Sequence, residues 1–296
     1  ILYINDLPSS VSTVCKVCLY ADDTAIFCSS KGARVIENTL NSELANLATW
    51  LHSNRLTLNA AKTKWILFGS SGKLRAVPPL RIQIDQETVE QVYQFKYLGV
   101  LLDCNISWNE HIDMVCSKVS QRIGLLRRLR SCLTVNIASM LYRSMILPLL
   151  EYCDIVWENC NITKQRQLQV LQNRAARVIL QMKRRSSVQD LHSRLNWKYL
   201  TQRRKEHMCV MVFKCINGLV PTYLDTTFVH NHLLHSHNTR QASLLNKPNY
   251  TNTAGHRTFA YRGATYYNTL SADIRHAPTL RQFKAALGHT PPHIDL

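Results

Sequence analysis

Two adjacent acids stand between two short apolar runs in Cys18-Leu19-Tyr20-Ala21-Asp22-Asp23-Thr24-Ala25-Ile26-Phe27. The flanking residues favour β-structure, so this stretch predicts a strand, a tight turn and a second strand, with both carboxylates at the tip. Carboxylates held so close together repel each other unless a cation lies near them. Magnesium binds carboxylate oxygens and keeps waters that a phosphate substrate can replace. The alternative is an ordinary turn, because aspartate is common in turns.

The residues around this turn resemble those of a known family. Tyr20-Ala21-Asp22-Asp23 resembles the YxDD signature of reverse transcriptases, and Tyr3-Ile4-Asn5-Asp6-Leu7-Pro8 resembles the segment that precedes it in non-LTR retrotransposon polymerases. An amphipathic helix follows, with apolar residues at steps of three and four from Ile36 to Leu51. Leu56-Thr57-Leu58-Asn59-Ala60-Ala61-Lys62-Thr63-Lys64 then resembles the N-x-L-x-L-N-x-x-K-T element, and Phe95-Lys96-Tyr97-Leu98-Gly99-Val100-Leu101-Leu102-Asp103 resembles the primer grip. Four elements in this order identify residues 1–103 as similar to a reverse transcriptase palm.

The resemblance implies roles for single residues. Asp22 would be the principal ligand of Mg2+ or Mn2+ in the intact enzyme, with Asp23 beside it, and Lys62 would approach the incoming triphosphate. The alternative for Lys62 is a surface lysine on a loop. The primer grip would consist of Phe95, Tyr97, Leu98 and Gly99, although Tyr97 and Leu98 also fit an ordinary strand core. The partners implied are an RNA template, a DNA primer and dNTPs.

The positive charge is concentrated in one part of the chain. Between Lys118 and Lys205 eighteen Lys and Arg face four Asp and Glu, which accounts for +14 of the formal net charge of +17. Such a block on helical sequence is typical of proteins that bind a phosphate backbone. The residues predicted to contact nucleic acid are Arg122, Arg127, Arg128, Arg130, Arg166, Arg174, Arg177 and Arg184. The alternatives are a solvated helix face and an anionic membrane surface.

The apolar spacing of this block predicts two helices. Val119, Ile123, Leu126, Leu129 and Leu133 form the apolar stripe of the first, and Leu168, Leu171, Ala175, Val178, Ile179 and Met182 form that of the second. A third helix is predicted from Leu191 to Asn217, ended by Gly218 and Pro221. We therefore expect an α+β fold: a partial palm sheet over residues 1–104, a basic helical thumb over 105–186 and an α-rich C-terminal domain over 187–296.

The best functional interpretation is a fragment of an RNA-directed DNA polymerase of a non-LTR retrotransposon that binds template–primer nucleic acid. The family also needs an upstream palm aspartate and a fingers region, which would precede Tyr3, so we expect no polymerisation by this polypeptide alone. Asp6 belongs to a different motif and does not replace that aspartate. The alternative is a degenerate or domesticated RNA- or DNA-binding protein without polymerase activity; a third possibility is a purely structural helical scaffold.

Other motifs carry less information. Cys15 and Cys18 have the spacing of half a zinc site, but no second close pair follows, and a strand would direct the two thiols to opposite faces. The histidines between His230 and His237 predict either a metal site or, more simply, an exposed basic loop. Scattered cysteines among apolar neighbours indicate a reducing, intracellular compartment, nuclear or cytoplasmic. No signal peptide or membrane span is recognisable.

Overall fold

A computed structural model describes residues 4–59, 61–234 and 242–288 of the chain. They divide into two compact units, Ile1–Trp108 and Asn109–Leu296. The predicted α+β class is confirmed, because long helices accompany short two-stranded sheets. The predicted limit between residues 186 and 187 lies inside the second unit, and the names palm and thumb remain predictions.

The first unit combines short strands with two helices. A 3-10 turn spans Leu7–Ser10. The strands are β1 (Lys16–Tyr20), β2 (Asp23–Phe27), β3 (Lys64–Trp65), β4 (Gln83–Ile84), β5 (Glu87–Thr88), β6 (Glu90–Gln91), β7 (Gln94–Tyr97) and β8 (Val100–Asp103). The helices are α1 (Ala33–Ser53) and α2 (Ser71–Ala76). β1 pairs with β2, β4 with β5 and β7 with β8 in antiparallel fashion, whereas β3 and β6 are parallel.

Helix α1 holds the first unit together. Its periodic apolar face packs against the hairpin strands, and Leu47 and Ala48 are buried in the core with Ile82. The carboxylate of Glu43 is also buried, and it accepts hydrogen bonds from the backbone N–H (2.8 Å) and the hydroxyl of Ser12. These bonds hold the pKa of Glu43 below its usual value. They therefore tie the segment before β1 to the helix.

The second unit is mainly helical in its described residues, with one isolated antiparallel bridge there between His230 and Leu245. Its helices are α3 (Asn109–Leu129), α4 (Val135–Leu141), α5 (Leu147–Glu151), α6 (Asp154–Trp157), α7 (Ile162–Leu180), α8 (Val188–Leu195), α9 (Leu200–Ile216), α10 (Thr222–Asp225), α11 (Asn231–Leu234), α12 (Thr253–His256), α13 (Phe259–Asn268), α14 (Ala272–Arg275) and α15 (Leu280–Gly288). A single π-helical turn, Tyr142–Ile146, joins α4 to α5. In the described part of the chain, no helix is both long and apolar enough to span a bilayer.

The two predicted basic helices are α3 and α7, which pack directly against each other. Most of the predicted inward residues are buried, but Leu129 is 44% exposed, so its place in the apolar stripe is wrong. The helix gives way to a 3-10 turn at Arg130, which rotates the chain away from the α-helical period. Met182 also lies outside its predicted helix, because Gln181 takes a left-handed conformation (φ 53°) and ends α7.

The predicted helix from Leu191 to Asn217 is wrong as one element. Asn196 has a φ of 51° and closes α8, and α9 begins four residues later at Leu200. Asparagine tolerates this left-handed conformation better than most residues, which explains the break. The end at Gly218 (φ 64°) is as predicted. Helices α9, α13 and α15 then enclose the core of the C-terminal part, centred on Phe213, Tyr267 and Phe283.

Candidate active-site hairpin and arginine groove

The predicted strand, turn and strand are present as β1 and β2. Tyr20 pairs with Asp23, which leaves Ala21 and Asp22 as a two-residue turn. Ala21 has a φ of 54°, a conformation that costs an alanine free energy. Asp22 and Asp23 are both exposed, so two carboxylates stand together at the tip of the hairpin.

The two faces of this hairpin differ. Val17, Leu19 and Ile26 pack against the core of the first unit. On the other face Cys18 is exposed and Tyr20 is 63% exposed. This alternation follows the two-residue period of a strand, with one face packed and one face open.

The segment predicted as a primer grip forms the β7–β8 hairpin. Leu98 (φ 45°) and Gly99 (φ 84°) make its two-residue turn, both with left-handed backbone. Tyr97 is half-buried, and burial raises its pKa, with a smaller contribution from the charge of Asp23. Asp23 therefore acts on Tyr97 electrostatically, although the two residues are far apart in sequence.

Lys62, predicted to meet a triphosphate, is exposed in the turn that follows Asn59. Its backbone N–H donates to the Asn59 side chain at 3.1 Å. Of the ion pairs formed by the described residues, none joins Lys62 to Asp22 or Asp23. The role of Lys62 remains a prediction.

The other candidate metal ligands are the cysteine pair and the histidines. Cys15 is buried whereas Cys18 is exposed, so the two thiols have different surroundings. His230 and His232 stack at 5.4 Å between ring centres, while His235 and His237 lie outside the described residues. Within the residues that are described, no three His, Cys, Asp or Glu side chains group as metal ligands would.

Five of the eight predicted arginines line one open cavity of about 740 Å³ between α3 and α7. This arginine groove is formed by Arg127, Arg130, Arg174, Arg177 and Arg184, with Val170, Val178 and Met182 as apolar lining and no acid among its lining residues. A second cavity of about 530 Å³ includes Arg166 and shares Val170 with the first. Arg122 and Arg128 are exposed but line neither cavity.

The arginines of the groove have different surroundings. Arg130 donates from Nε to the carbonyl of Ile179 (2.7 Å) and from Nη1 to that of Leu133 (2.5 Å), so it is partly committed to the fold. The Nε atom of Arg177 is buried, and no hydrogen-bond partner for it occurs among the described residues. A buried hydrogen-bond donor of this kind usually has an acceptor in a native protein, supplied by the protein, by water or by a ligand.

Comparison with known proteins identifies the first unit. A family model described as "Reverse transcriptase (RNA-dependent DNA polymerase)" matches residues 1–102. Residues 1–102 belong to the reverse transcriptase family. The β1–β2 hairpin lies inside this match, and so does the β7–β8 hairpin except for Asp103, the last residue of β8.

Relatives from transposons extend the similarity beyond the reverse transcriptase segment. The "Probable RNA-directed DNA polymerase from transposon BS" of Drosophila melanogaster is 31% identical over 165 residues, 54% of this chain and 18% of that protein. The "Probable RNA-directed DNA polymerase from transposon X-element" of the same species is 25% identical over 184 residues, 60% and 20% respectively. The "RNA-directed DNA polymerase from mobile element jockey" of Drosophila funebris is 26% identical over 168 residues, 55% and 18%. The matched part is thus about a fifth of these relatives' length, and no solved structure matches the chain.

Downstream of the reverse transcriptase segment, sequence reasoning missed a buried cluster of charges. Asp154 binds His207 (2.7 Å), Glu158 binds Arg262 (2.5 Å) and the guanidinium of Arg204 lies 4.7 Å above the ring of Trp157. A signal was present in the sequence, because acids occur inside the apolar run from Ala138 to Trp157.

Burial shifts the pKa of two members of this cluster, Glu158 and Arg204. Burial raises the pKa of Glu158, opposed by the positive charge of Arg262. Burial lowers the pKa of Arg204, whose Nε and Nη2 atoms have no hydrogen-bond partner among the described residues. These groups connect α6, α9 and α13, so the cluster belongs to the framework of the second unit.

Proposed function

We propose that this chain is the palm-to-C-terminal part of an RNA-directed DNA polymerase of a non-LTR retrotransposon and that it binds template–primer nucleic acid. One observation carries the binding proposal: five arginines from two packed helices line one open groove without an acid. Positive side chains on a helical surface attract the phosphate backbone without reading base sequence. The family match of residues 1–102 supports the polymerase ancestry.

Within this proposal the parts keep their predicted names. Residues 1–104 supply part of the palm, residues 105–186 the thumb and residues 187–296 a C-terminal domain. Phe95, Tyr97, Leu98 and Gly99, which belong to the β7–β8 hairpin, would seat the primer end. Lys62 would contact the triphosphate of the incoming nucleotide.

The reverse transcriptase family uses a divalent metal, and we propose Mg2+ or Mn2+ for this chain. The donor set suits such an ion, because Asp22 and Asp23 are exposed carboxylates and hard cations prefer oxygen ligands. Bound there, the ion would neutralise charge that develops on the transferring phosphoryl group. Asp22 would be the principal ligand and Asp23 the second.

Paramagnetic Mn2+ tests the metal proposal without requiring activity. Titration into the full chain should broaden the amide resonances of residues 20–24 first. Asp22→Asn should weaken this broadening at least fivefold, whereas Asp273→Asn, which removes one exposed acid in the second unit, should leave it unchanged. Equal broadening around Asp22 and Asp273 would exclude a specific site.

The binding proposal is tested with a labelled RNA–DNA hybrid over a series of salt concentrations. Each phosphate contact contributes about 0.9 to the slope of log affinity against log salt. The double change Arg174→Ala, Arg177→Ala should therefore lower that slope by about 2. The matched control is Arg281→Ala with Lys284→Ala, which removes two exposed charges of α15. Absence of salt-dependent binding by the unmodified chain would instead favour a helical scaffold.

A further inference from the structure

The dimensions of the arginine groove restrict what can enter it. Helices α3 and α7 pack directly, and packed helices have axes about 8–10 Å apart. A cavity of about 740 Å³ lies in the range of pockets that hold one small organic molecule. A duplex has the opposite shape, a wide convex surface, so it can lie over such a groove but cannot fill it.

The lining combines cations with apolar side chains. Val170 is 60% exposed although it is apolar, and Val178 and Met182 line the same cavity. Sites for phosphate backbones need only cations, whereas unpaired nucleotides also present apolar sugar and base faces. The mixed lining therefore fits a nucleotide that is not paired.

The arginines of the groove carry more positive charge than is needed to neutralise the nearby helix C-termini. The groove lies near the C-terminal ends of α3 and α7, and each such end carries about half a negative charge. Arg130 already donates to the carbonyl groups of Ile179 and Leu133 there. The other four arginines leave a clear positive excess.

Arg177 adds an independent observation. Arg177 lines the groove, and its Nε atom is buried without a hydrogen-bond partner among the described residues, so its guanidinium has an unused donor beside the groove. A phosphate oxygen is a suitable acceptor, because arginine binds phosphate by two parallel N–H groups.

We propose that the arginine groove seats one or two nucleotides of single-stranded nucleic acid adjoining the bound duplex. Arg174, Arg177 and Arg184 contact the phosphates, and Val170 and Val178 contact a sugar or base. This proposal rests on the proposed function and names the part of the nucleic acid that this site takes.

The test compares two ligands for the full chain: a blunt RNA–DNA hybrid and the same hybrid with a four-nucleotide single-stranded extension. The extended hybrid should bind about tenfold more tightly. Val170→Glu places a negative charge in the groove at an exposed position and should abolish that preference. Met140→Glu is the matched control, because Met140 is 61% exposed on α4 and lines neither cavity, and it should keep the preference.

The outcomes separate this proposal from the one on which it rests. Equal affinity for both hybrids, with salt-dependent binding retained, would overturn single-strand seating and leave template–primer binding intact. A preference that survives Val170→Glu would place the extension elsewhere and also overturn it. Failure to bind either hybrid would overturn both proposals.

Discussion

The Nδ1 atom of His207 lies 2.7 Å from Oδ2 of Asp154, a carboxylate that is only 3% exposed. His207 belongs to α9 and Asp154 opens α6, so the pair joins two helices of the second unit. The hydrogen bond and the charge of Asp154 raise the pKa of His207, with a smaller contribution from Glu151 and opposition from burial and Arg203. Folding therefore shifts this imidazole toward its protonated form relative to the unfolded chain.

This pair predicts a stability that depends on pH. A histidine whose folded pKa exceeds its unfolded value of about 6.5 stabilises the fold fully below that value. The contribution is lost as pH rises through the folded pKa of His207. Asp154→Asn should lower the free energy of unfolding by about 2 kcal/mol at pH 6 and by less at pH 9. Urea unfolding of both proteins at the two pH values measures this, and an equal loss at both would contradict the ion pair.

His111 predicts the opposite dependence. Burial, aided by the charge of Lys118, lowers its pKa to about 4, and its ring lies 5.6 Å from that of Trp157. The unfolded chain binds a proton near pH 6.5 that the folded chain does not, so stability falls between pH 6.5 and 4. The cost at pH 5 is about 2 kcal/mol.

The replacement His111→Phe keeps a ring at this position and removes the titrating group. It should reduce the loss of stability between pH 7 and pH 5, measured by urea unfolding. Part of the loss should remain, because burial also lowers the pKa of His192. A loss identical to that of the unmodified chain would show that His111 does not contribute.

Two glycines predict opposite effects of the same substitution. A Cβ at Gly263 would lie 2.7 Å from Phe228 and 2.8 Å from Val212, both buried, so α13 approaches them too closely for any side chain. Gly263→Ala should lower the free energy of unfolding by about 2 kcal/mol. Gly124 lies within α3 with nothing within 4 Å of such a Cβ, so Gly124→Ala should raise it by about 1 kcal/mol. Chemical denaturation of both variants is the measurement, and a stabilising Gly263→Ala would refute the packing described.

Arg130 and Arg128 should differ in how much each side chain stabilises the fold. Arg130→Ala removes the hydrogen bonds to Ile179 and Leu133 and should cost about 2 kcal/mol of unfolding free energy. Arg128 is exposed on the same helix, and Arg128→Ala should change stability by less than about 0.5 kcal/mol. Thermal or urea unfolding distinguishes the two, and equal effects would show that the bonds of Arg130 do not stabilise the fold.

Local patterns allowed much of the first unit and the long helices to be anticipated. The apolar, β-favouring runs on either side of Asp22 and Asp23 predicted the β1–β2 hairpin, and apolar spacing predicted α3 and α7. Helices and hairpins of this kind form between residues that are near each other in the sequence. The spacing of apolar residues along the chain therefore reveals them. The errors at Leu129 and Asn196 arose where an α-helix ended, in a 3-10 turn after Leu129 and in a left-handed residue at Asn196.

Only the tertiary structure decided which charged residues lie together in each site. All eight arginines were equivalent as a pattern, yet five line the groove and Arg130 is bound to backbone carbonyls, because α3 meets α7 on particular faces. His207 and Asp154 are 53 residues apart, and Arg262 and Glu158 are 104 apart. No periodicity relates residues at such separations. Their pairing follows from how helices exclude water from a shared core, where a buried charge must find a partner among whatever side chains the fold brings to it.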